Sequence, residues 1–335
     1  MIFTYDLWSA KVMFLYLTIF LPARLTVINV ILKSHYMGQA ILETQSLSKH
    51  YGRIKAVDDL NIKVFPGEVH GILGPNGSGK TTTLGILLGA IQPKSGSFSW
   101  FGSQTDAAAR RRIGSTLENP LFYPYMNAVD NLKMIADIRG CTYAFIPEAL
   151  THVGLYERKN SRFKSYSMGM KQRLAIASAL LGDPEVLIFD EPTNGLDPQG
   201  IAEIRALVRS IAAKGKTILM ASHLLDEVQK LCTHVTVLNH GRCLFSGTVG
   251  EFVHSADVAE ISTNDNIKLK AVLAGWEGCL SVDEQSGRLR VELKTGFNTA
   301  SLNEFAFTNG FILNHLTLNQ NSLEQNFLDL LKHNA

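Results

Sequence analysis

The chain lacks the cysteine spacing that would let metal or disulfide chemistry organise it: Cys141, Cys232, Cys243 and Cys279 lie far apart, with no Cys-x-x-Cys pair. That pattern fits a reducing compartment, with buried or incidental thiols, and argues against a zinc site or a disulfide framework. A strong charge of either sign is also missing. The formal net charge is +2, with 19% charged and 46% hydrophobic residues, so there is no electrostatic footprint for nucleic acid. Nor is there a set of apolar runs able to form a membrane bundle, since each span needs about 20 apolar residues. What remains, at 335 residues, is room for one large domain and a smaller appendage, each able to bury a core.

Against that plain background one stretch stands out. Gly74-Pro75-Asn76-Gly77-Ser78-Gly79-Lys80-Thr81 lies between the apolar run Val69 to Leu73 and the helix-like Thr82 to Leu88. The spacing is that of Gly-x-x-x-x-Gly-Lys-Ser/Thr, in which glycines let backbone N–H groups converge on phosphate oxygens at the start of a helix. The nucleotide-binding set is therefore Gly74, Pro75, Asn76, Gly77, Ser78, Gly79, Lys80, Thr81 and Thr82. Lys80 would neutralise the β- and γ-phosphates of ATP, and Thr81 would offer its hydroxyl to Mg²⁺.

Upstream, Ile41 to Leu47 and Leu60 to Val64 alternate apolar and polar residues, as half-buried antiparallel strands do. Tyr51 between them is an aromatic platform for the adenine ring. Downstream, Ser97 to Phe101 reads as a further strand. The segment from Val129 to Gly182 is mostly helical, with Leu132, Ile135 and Ile138 at helical spacing. At its far end Tyr166-Ser167-Met168-Gly169-Met170 opens a helix, and a serine at such a place is ordinarily a cap.

Val186-Leu187-Ile188-Phe189 then forms a buried strand ending in Asp190 and Glu191. Adjacent residues at a strand end point in different directions, so one acid can hold Mg²⁺ while its neighbour faces an attacking water. After a helix whose apolar face is Ile201, Ile204, Leu207, Val208 and Ile211, the strand Thr217 to Ala221 ends at Ser222 and His223. Strand ends are where open α/β sheets place ligands.

Taken in order, these motifs resemble the ATP-binding subunits of ABC transporters over residues 38–250: the phosphate loop, a Q-loop-like segment at Glu118, a signature at Tyr166 to Met170, the Asp190-Glu191 pair and a switch His223. The resemblance implies a P-loop NTPase core of α/β class, with an antiparallel β-subdomain and a helical subdomain. It implies that Asp190 and Thr81 hold Mg²⁺, that Glu191 is the general base or water positioner, and that His223 contacts the γ-phosphate. It further implies head-to-tail pairing with a second ATP-binding subunit, identical or not. Ser167 and Gly169 of one subunit would close over ATP bound at Lys80 of the other, and Asp197 would communicate between the two sites.

Two motifs depart from the family pattern. The signature is Tyr-Ser-Met-Gly-Met where Leu-Ser-Gly-Gly-Gln is usual, and Glu118 replaces a glutamine. A carboxylate there is a stronger ligand for a hard metal ion but cannot donate a hydrogen bond unless protonated, so Glu118 joins the nucleotide and metal set. The Glu118-Asn119-Pro120 run resembles exporters of the bacitracin type. The expected partner is a membrane-spanning subunit, received at the aromatic segment Leu121 to Tyr125, with the chain peripheral to the cytoplasmic face of the membrane and no nucleic acid bound. A soluble ABC ATPase of ribosomes or DNA is the alternative; such chains usually carry two nucleotide domains or a long coiled-coil insertion.

Two segments flank this unit. Residues 256–335 read as a small α+β accessory domain, with strands at Leu289 to Leu293 and Ile312 to Leu318, a helix near Ser301 to Asn309 and a final amphipathic helix from Ser322 to Leu331. Residues 1–37 are atypical: Val12 to Leu21 and Leu25 to Leu32 are apolar, interrupted by Pro22 and Arg24. As a membrane span this is poor because Arg24 falls near its middle, and as a secretory signal it would carry an ATP site away from ATP. The expectation is translation from Met37, with a membrane-associating segment as the alternative. Intact-mass measurement of the native protein should give a chain beginning at Met37; a mass that includes residues 1–36 would refute this.

Overall fold

The computed structural model describes residues 38–104, 107–116, 118–253, 258–285, 287–294, 296–319, 327–328 and 330–331. The atypical segment 1–37 lies outside the described residues. So does most of the expected final helix, of which Phe327, Leu328, Leu330 and Leu331 are helical.

The first strands among the described residues are β1 (Leu42–Tyr51), β2 (Ile54–Leu60) and the short β3 (Lys63–Val64). Of the two alternating runs, Ile41 to Leu47 falls largely in β1, which runs on to Tyr51, whereas Leu60 to Val64 is divided between the end of β2 and β3, and β2 occupies what reads as a loop before Leu60. The hairpin closes because Gly52 takes φ 60°, a left-handed conformation that glycine adopts without strain, while Val57 and Leu60 turn inward. β4 (Val69–Leu73) is buried along its whole length and leads through the glycine loop into α1 (Lys80–Leu87). β5 (Ser95–Trp100) and β6 (Ser103–Gln104) return to the first sheet. There the Trp100 indole N–H donates to the Leu87 carbonyl at 2.9 Å, satisfying a carbonyl at the end of α1.

β7 (Ile113–Thr116) is followed by α2 (Ala128–Arg139), α3 (Phe145–His152) and α4 (Met168–Leu180), which fill the expected helical segment. Asn127 caps α2 by accepting from Asp130 N at 2.9 Å, and Gly140 ends it in the left-handed conformation. Then come β8 (Val186–Asp190), α5 (Pro198–Ala213), β9 (Thr217–Ser222), α6 (Leu225–Leu231), β10 (His234–Asn239) and β11 (Arg242–Thr248).

The central sheet has the order β11-β10-β4-β9-β8-β7, parallel except for the β10–β11 hairpin. β4, β8 and β9 are buried throughout, as strands covered on both faces must be, which explains their unbroken apolar runs. One face packs with β1, β2, α1 and β5 around Ile72, Ile188 and Leu219. The other packs with α2, α4, α5 and α6 around Leu73, Phe189 and Met220, and Phe327, Leu330 and Leu331 join that cluster. Each fully buried Leu or Ile in these layers contributes about 1.5–3 kcal/mol.

The remaining elements are β12 (Val258–Ser262), α7 (Asn266–Leu273), β13 (Cys279–Gln285), β14 (Arg288–Leu293), α8 (Thr299–Thr308) and β15 (His315–Asn319). They form an antiparallel sheet of order β13-β14-β12-β15, with α7 and α8 packed on one face over Ile261, Leu269, Val291 and Leu302. The last strand begins at His315 rather than Ile312.

A close approach fixes α4 against β7. A Cβ on Gly114 would lie 1.9 Å from the Ala179 carbonyl oxygen. At the same contact Arg139 donates to the carbonyls of Ala179 and Ile113, each at 3.1 Å, so the end of α4, the start of β7 and the end of α2 meet on one guanidinium. Gly114→Ala is expected to push α4 off the sheet and destabilise the fold by about 1–3 kcal/mol, read as a lower thermal midpoint; an unchanged midpoint would contradict this packing.

Candidate active site

The site is built at the carboxyl ends of β4, β8 and β9. Leu73 pairs with Ser222 and Asp190 with Ala221, so the loops that leave these strands emerge side by side. The first is the glycine loop. Gly79, at φ 107°, caps α1, and a Cβ there would lie 2.1 Å from the Ala56 carbonyl; one on Gly74 would lie 2.4 Å from the Leu238 carbonyl. Only glycine fits either place. The loop closes through Ser78 N donating to Pro75 O at 3.1 Å, and Gly79 O accepts from Thr83 N at 2.8 Å as α1 begins.

Lys80 folds back into this loop. Its Nζ donates to Gly74 O at 2.8 Å and Pro75 O at 3.2 Å, and stands 3.4 Å from Glu191 Oε1. Glu191 also accepts from His223, whose Nδ1–H lies 2.8 Å from Oε2 and whose backbone N lies 3.4 Å from the same oxygen. The Glu191 carboxylate thus sits between an ammonium and an imidazole while only 7% exposed. Its backbone has φ 49°, a conformation that costs a non-glycine residue about 1–3 kcal/mol and tends to cluster at functional sites. The turn is held by Glu191 N donating to Ala221 O and Asn194 N to Glu191 O, both at 3.1 Å.

Asp190 lies behind Thr81, whose hydroxyl donates to Asp190 Oδ1 at 3.4 Å. Burial pushes the Asp190 carboxyl above its ordinary range. The Thr81 bond and Lys80 oppose the shift, while Glu191 and Glu118 add to it. A divalent cation beside Thr81 and Asp190 would relieve that strain, and their hydroxyl and carboxylate oxygens are the donor types that hard cations take. Glu118 reaches the same cavity. Its Oε1 accepts from Asn194 Nδ2 at 3.1 Å, and its carbonyl accepts from Gln172 Nε2 of α4 at 3.4 Å.

These groups line a cavity of about 430 Å³, bounded by Asn76, Gly77, Gly79, Lys80, Thr81 and Thr82 on one side and Glu118, Glu191 and His223 on the other. Ile54, Ala56 and Asn194 complete the wall, and sequence reasoning missed all three. Asn194 could have been found from its place directly after the acidic turn, but Ile54 and Ala56 had no signal, because β2 meets the glycine loop only in the folded chain. Gly74, Pro75, Ser78 and Asp190 lie behind the wall. Tyr51 is not part of it: the ring sits at the tip of the β1–β2 hairpin, half exposed, with Lys49 Nζ 5.4 Å from its centroid, and it pairs with Ile54, which does line the cavity.

Ser167, Gly169 and Asp197 are likewise outside the wall. Ser167 is exposed and caps α4 by accepting from Met170 N at 3.3 Å, and Gly169 is half-buried in the first turn. Asp197 caps α5 by accepting from Gly200 N at 2.8 Å. A further cavity of about 370 Å³ at the opposite end of β4, lined in part by Glu68, His70 and His234, contains none of the motif residues.

Comparison with known proteins gives a consistent picture. The family described as ABC transporter matches residues 57–194. The chain is 39% identical over 298 residues to the bacitracin transport ATP-binding protein BcrA of Bacillus licheniformis, covering 87% of this chain and 97% of the relative. It is 38% identical over 232 residues to the Nod factor export ATP-binding protein I of Cupriavidus metallidurans, covering 66% and 77%. Among solved structures it is similar to cbiO1 of Clostridium perfringens, described as part of the ABC transporter complex cbiONQ, with a TM-score of 0.57, 30% identity, and coverage of 63% of this chain and 90% of that one.

Because Lys80 is a buried cation on the glycine loop and one of the two partners of the buried Glu191 carboxylate, Lys80→Ala is expected to abolish ATP binding in an equilibrium titration and to lower the thermal midpoint. Retained affinity would show that the loop does not depend on this charge.

Proposed function

The chain belongs to the ATP-binding subunits of ABC transporters and is an ATPase; on that premise we propose that it energises a separate membrane-spanning subunit in export, at the cytoplasmic face of the membrane. The observation that carries the reading is the contact of Lys80, Glu191 and His223 at adjacent strand ends. No helix among the described residues is long and apolar enough to cross a membrane, which fits a division of labour between this chain and a spanning partner. The relatives named for bacitracin transport and Nod factor export support the direction and a substrate of antibiotic, peptide or lipid-like character. The exposed Leu121, Tyr123 and Tyr125 are the surface assigned to the spanning subunit. Residues 38–250 form the ATP-binding domain in this reading, and residues 256–335 an accessory domain.

The chemistry follows from where each group stands. Lys80 exchanges the Gly74 and Pro75 carbonyls for the β- and γ-phosphate oxygens of ATP, while glycine-loop N–H groups and the start of α1 take up the remaining charge. Tyr51 stacks against the adenine. Thr81, Asp190 and Glu118 would hold Mg²⁺, which would supply charge neutralisation at the phosphates. Glu191 orients the attacking water and accepts its proton, and His223 fixes the Glu191 carboxylate and reaches the γ-phosphate. Little covalent work is asked of the protein, because phosphoryl transfer is governed by positioning and electrostatics.

Ser167 and Gly169 do not share a cavity with Lys80 in one chain, so their assigned role is in trans. Two subunits pair head to tail, each offering its α4 cap to the other's ATP, with Asp197 between the sites. The exposed Ser167 and Met168 at the start of α4 suit such a contact, since helix N-terminal N–H groups attract anions.

Glu191→Gln tests the assignment. The amide keeps the shape but cannot accept a proton, so ATP binding should persist within about twofold while kcat falls by about 100-fold or more. Size-exclusion chromatography with ATP should then show a trapped dimer. Turnover at the parental rate by this variant, purified with its membrane partner, would remove Glu191 from the mechanism.

A further inference from the structure

The helix after His223 is fastened to the helix that begins at Asp197 by an ion pair between a half-buried arginine and a buried glutamate. Glu227, in the first turn of α6, is 2% exposed, and its Oε1 accepts from Arg205 Nη2 on α5. The same Nη2 donates to Asp226 Oδ2 at 3.2 Å, and Lys230 Nζ donates to that oxygen at 2.7 Å. One turn along α5, Arg209 Nη2 donates to the Lys230 carbonyl at 2.9 Å. Two arginines on one face of α5 therefore hold α6 near both of its ends.

The pair is not arranged for stability alone. A carboxylate this deep requires its lone pairs to be engaged, and apolar residues of similar volume in such a place are often equally or more stabilising. Yet Glu227 Oε2 and Arg205 Nε are both buried without a protein partner. The two atoms belong to the same pair and would meet in a fork-to-fork contact. A single N–H···O link leaves α6 room to shift along α5 and close the second one without losing the first.

Its position in the chain gives that shift a consequence. Glu227 lies four residues beyond His223, which immediately precedes the N-cap of α6 and whose Nδ1–H bonds Glu191 Oε2 at 2.8 Å. Arg205 lies on the helix whose N-terminus is capped by Asp197. We infer that Arg205 and Glu227 are positioning residues for ATP hydrolysis: their ion pair sets where His223 stands relative to Glu191 and carries displacements of the Asp197 loop to it. This rests on the assignment of Glu191 and His223 to the hydrolytic machinery.

The test uses the full chain and steady-state hydrolysis, equilibrium ATP binding and thermal midpoints together. Glu227→Gln presents an amide N–H₂ to the guanidinium in place of one carboxylate oxygen. It should lower kcat by about tenfold, within the range set by small misplacements of reacting groups, and leave ATP affinity within about twofold. In a His223→Ala background the same substitution should cause no further loss, because it acts through that histidine. Replacing both partners (Arg205→Met with Glu227→Met) should keep the parental midpoint while kcat stays low; should Glu227→Gln fold poorly, this double variant decides. A parental kcat in Glu227→Gln, a loss that multiplies in full with that of His223→Ala, or recovery of kcat in the apolar double variant would each overturn the inference. His223→Ala alone separates the two levels: if it leaves kcat unchanged, the histidine's own assignment fails, whereas a loss there but not in Glu227→Gln removes only the strut.

Discussion

Leu73, Ser222 and Asp190 end neighbouring parallel strands within one residue of the same height, and the site depends on that register. The glycine loop, Glu191 and His223 leave the sheet from those ends, so their contacts follow from strand pairing rather than from any bond among the loops. A slip of one residue in β8 would turn its side chains to the opposite face. It would also carry Asp190 away from Thr81 and Glu191 away from Lys80. The register is protected by burial: Val186 to Phe189 and Ile218 to Ala221 are sealed on both faces of the sheet, and displacing any of them would expose several apolar side chains at once.

The sheet supports a costly arrangement at that edge. Lys80, Asp190 and Glu191 are all nearly buried, and Glu191 sits on a left-handed backbone. Burying charges is offset only where they meet partners at short range, and here one carboxylate is held by an ammonium and an imidazole together. Asp190 is the less compensated acid, with burial holding its carboxyl above the usual range. The imbalance favours a cation next to Thr81 and Asp190, so the protein's own electrostatics support the proposed Mg²⁺ position.

Glu118 links this edge to the rest of the molecule. Its side chain meets Asn194, on the turn that leads to Asp197, and its backbone meets Gln172 on α4, the helix capped by Ser167. α4 is in turn seated on β7 through Gly114 and Arg139. The proposed trans-acting cap, the proposed cation ligand and the turn after the acidic pair are therefore joined through short polar contacts over a rigid helix–sheet junction. On the other side of the site, Arg205 and Glu227 join α5 to α6.

Much of this was legible in the sequence because the decisive signals are local. The glycine spacing before Lys80, the apolar runs of β4, β8 and β9, and the acids and histidine at their ends identify a nucleotide-binding α/β chain, since each reports a strand end or a helix start by itself. Strand boundaries in the first sheet were less legible: β2 was hidden because its polar residues Lys55, Asp58 and Asp59 mask the inward-facing Val57 and Leu60. Pairings between distant residues were not legible at all. Ile54 and Ala56 reach the cavity, Arg139 finds four backbone carbonyls, and Arg205 finds Glu227 only after the sheet has brought their elements together. The sequence by itself determined which groups are the candidates for the chemistry, because motif spacing is a property of the backbone near each residue. Only the tertiary structure decided which groups touch, because contact between strand ends depends on parallel register, and register is set by long-range packing that no short stretch encodes.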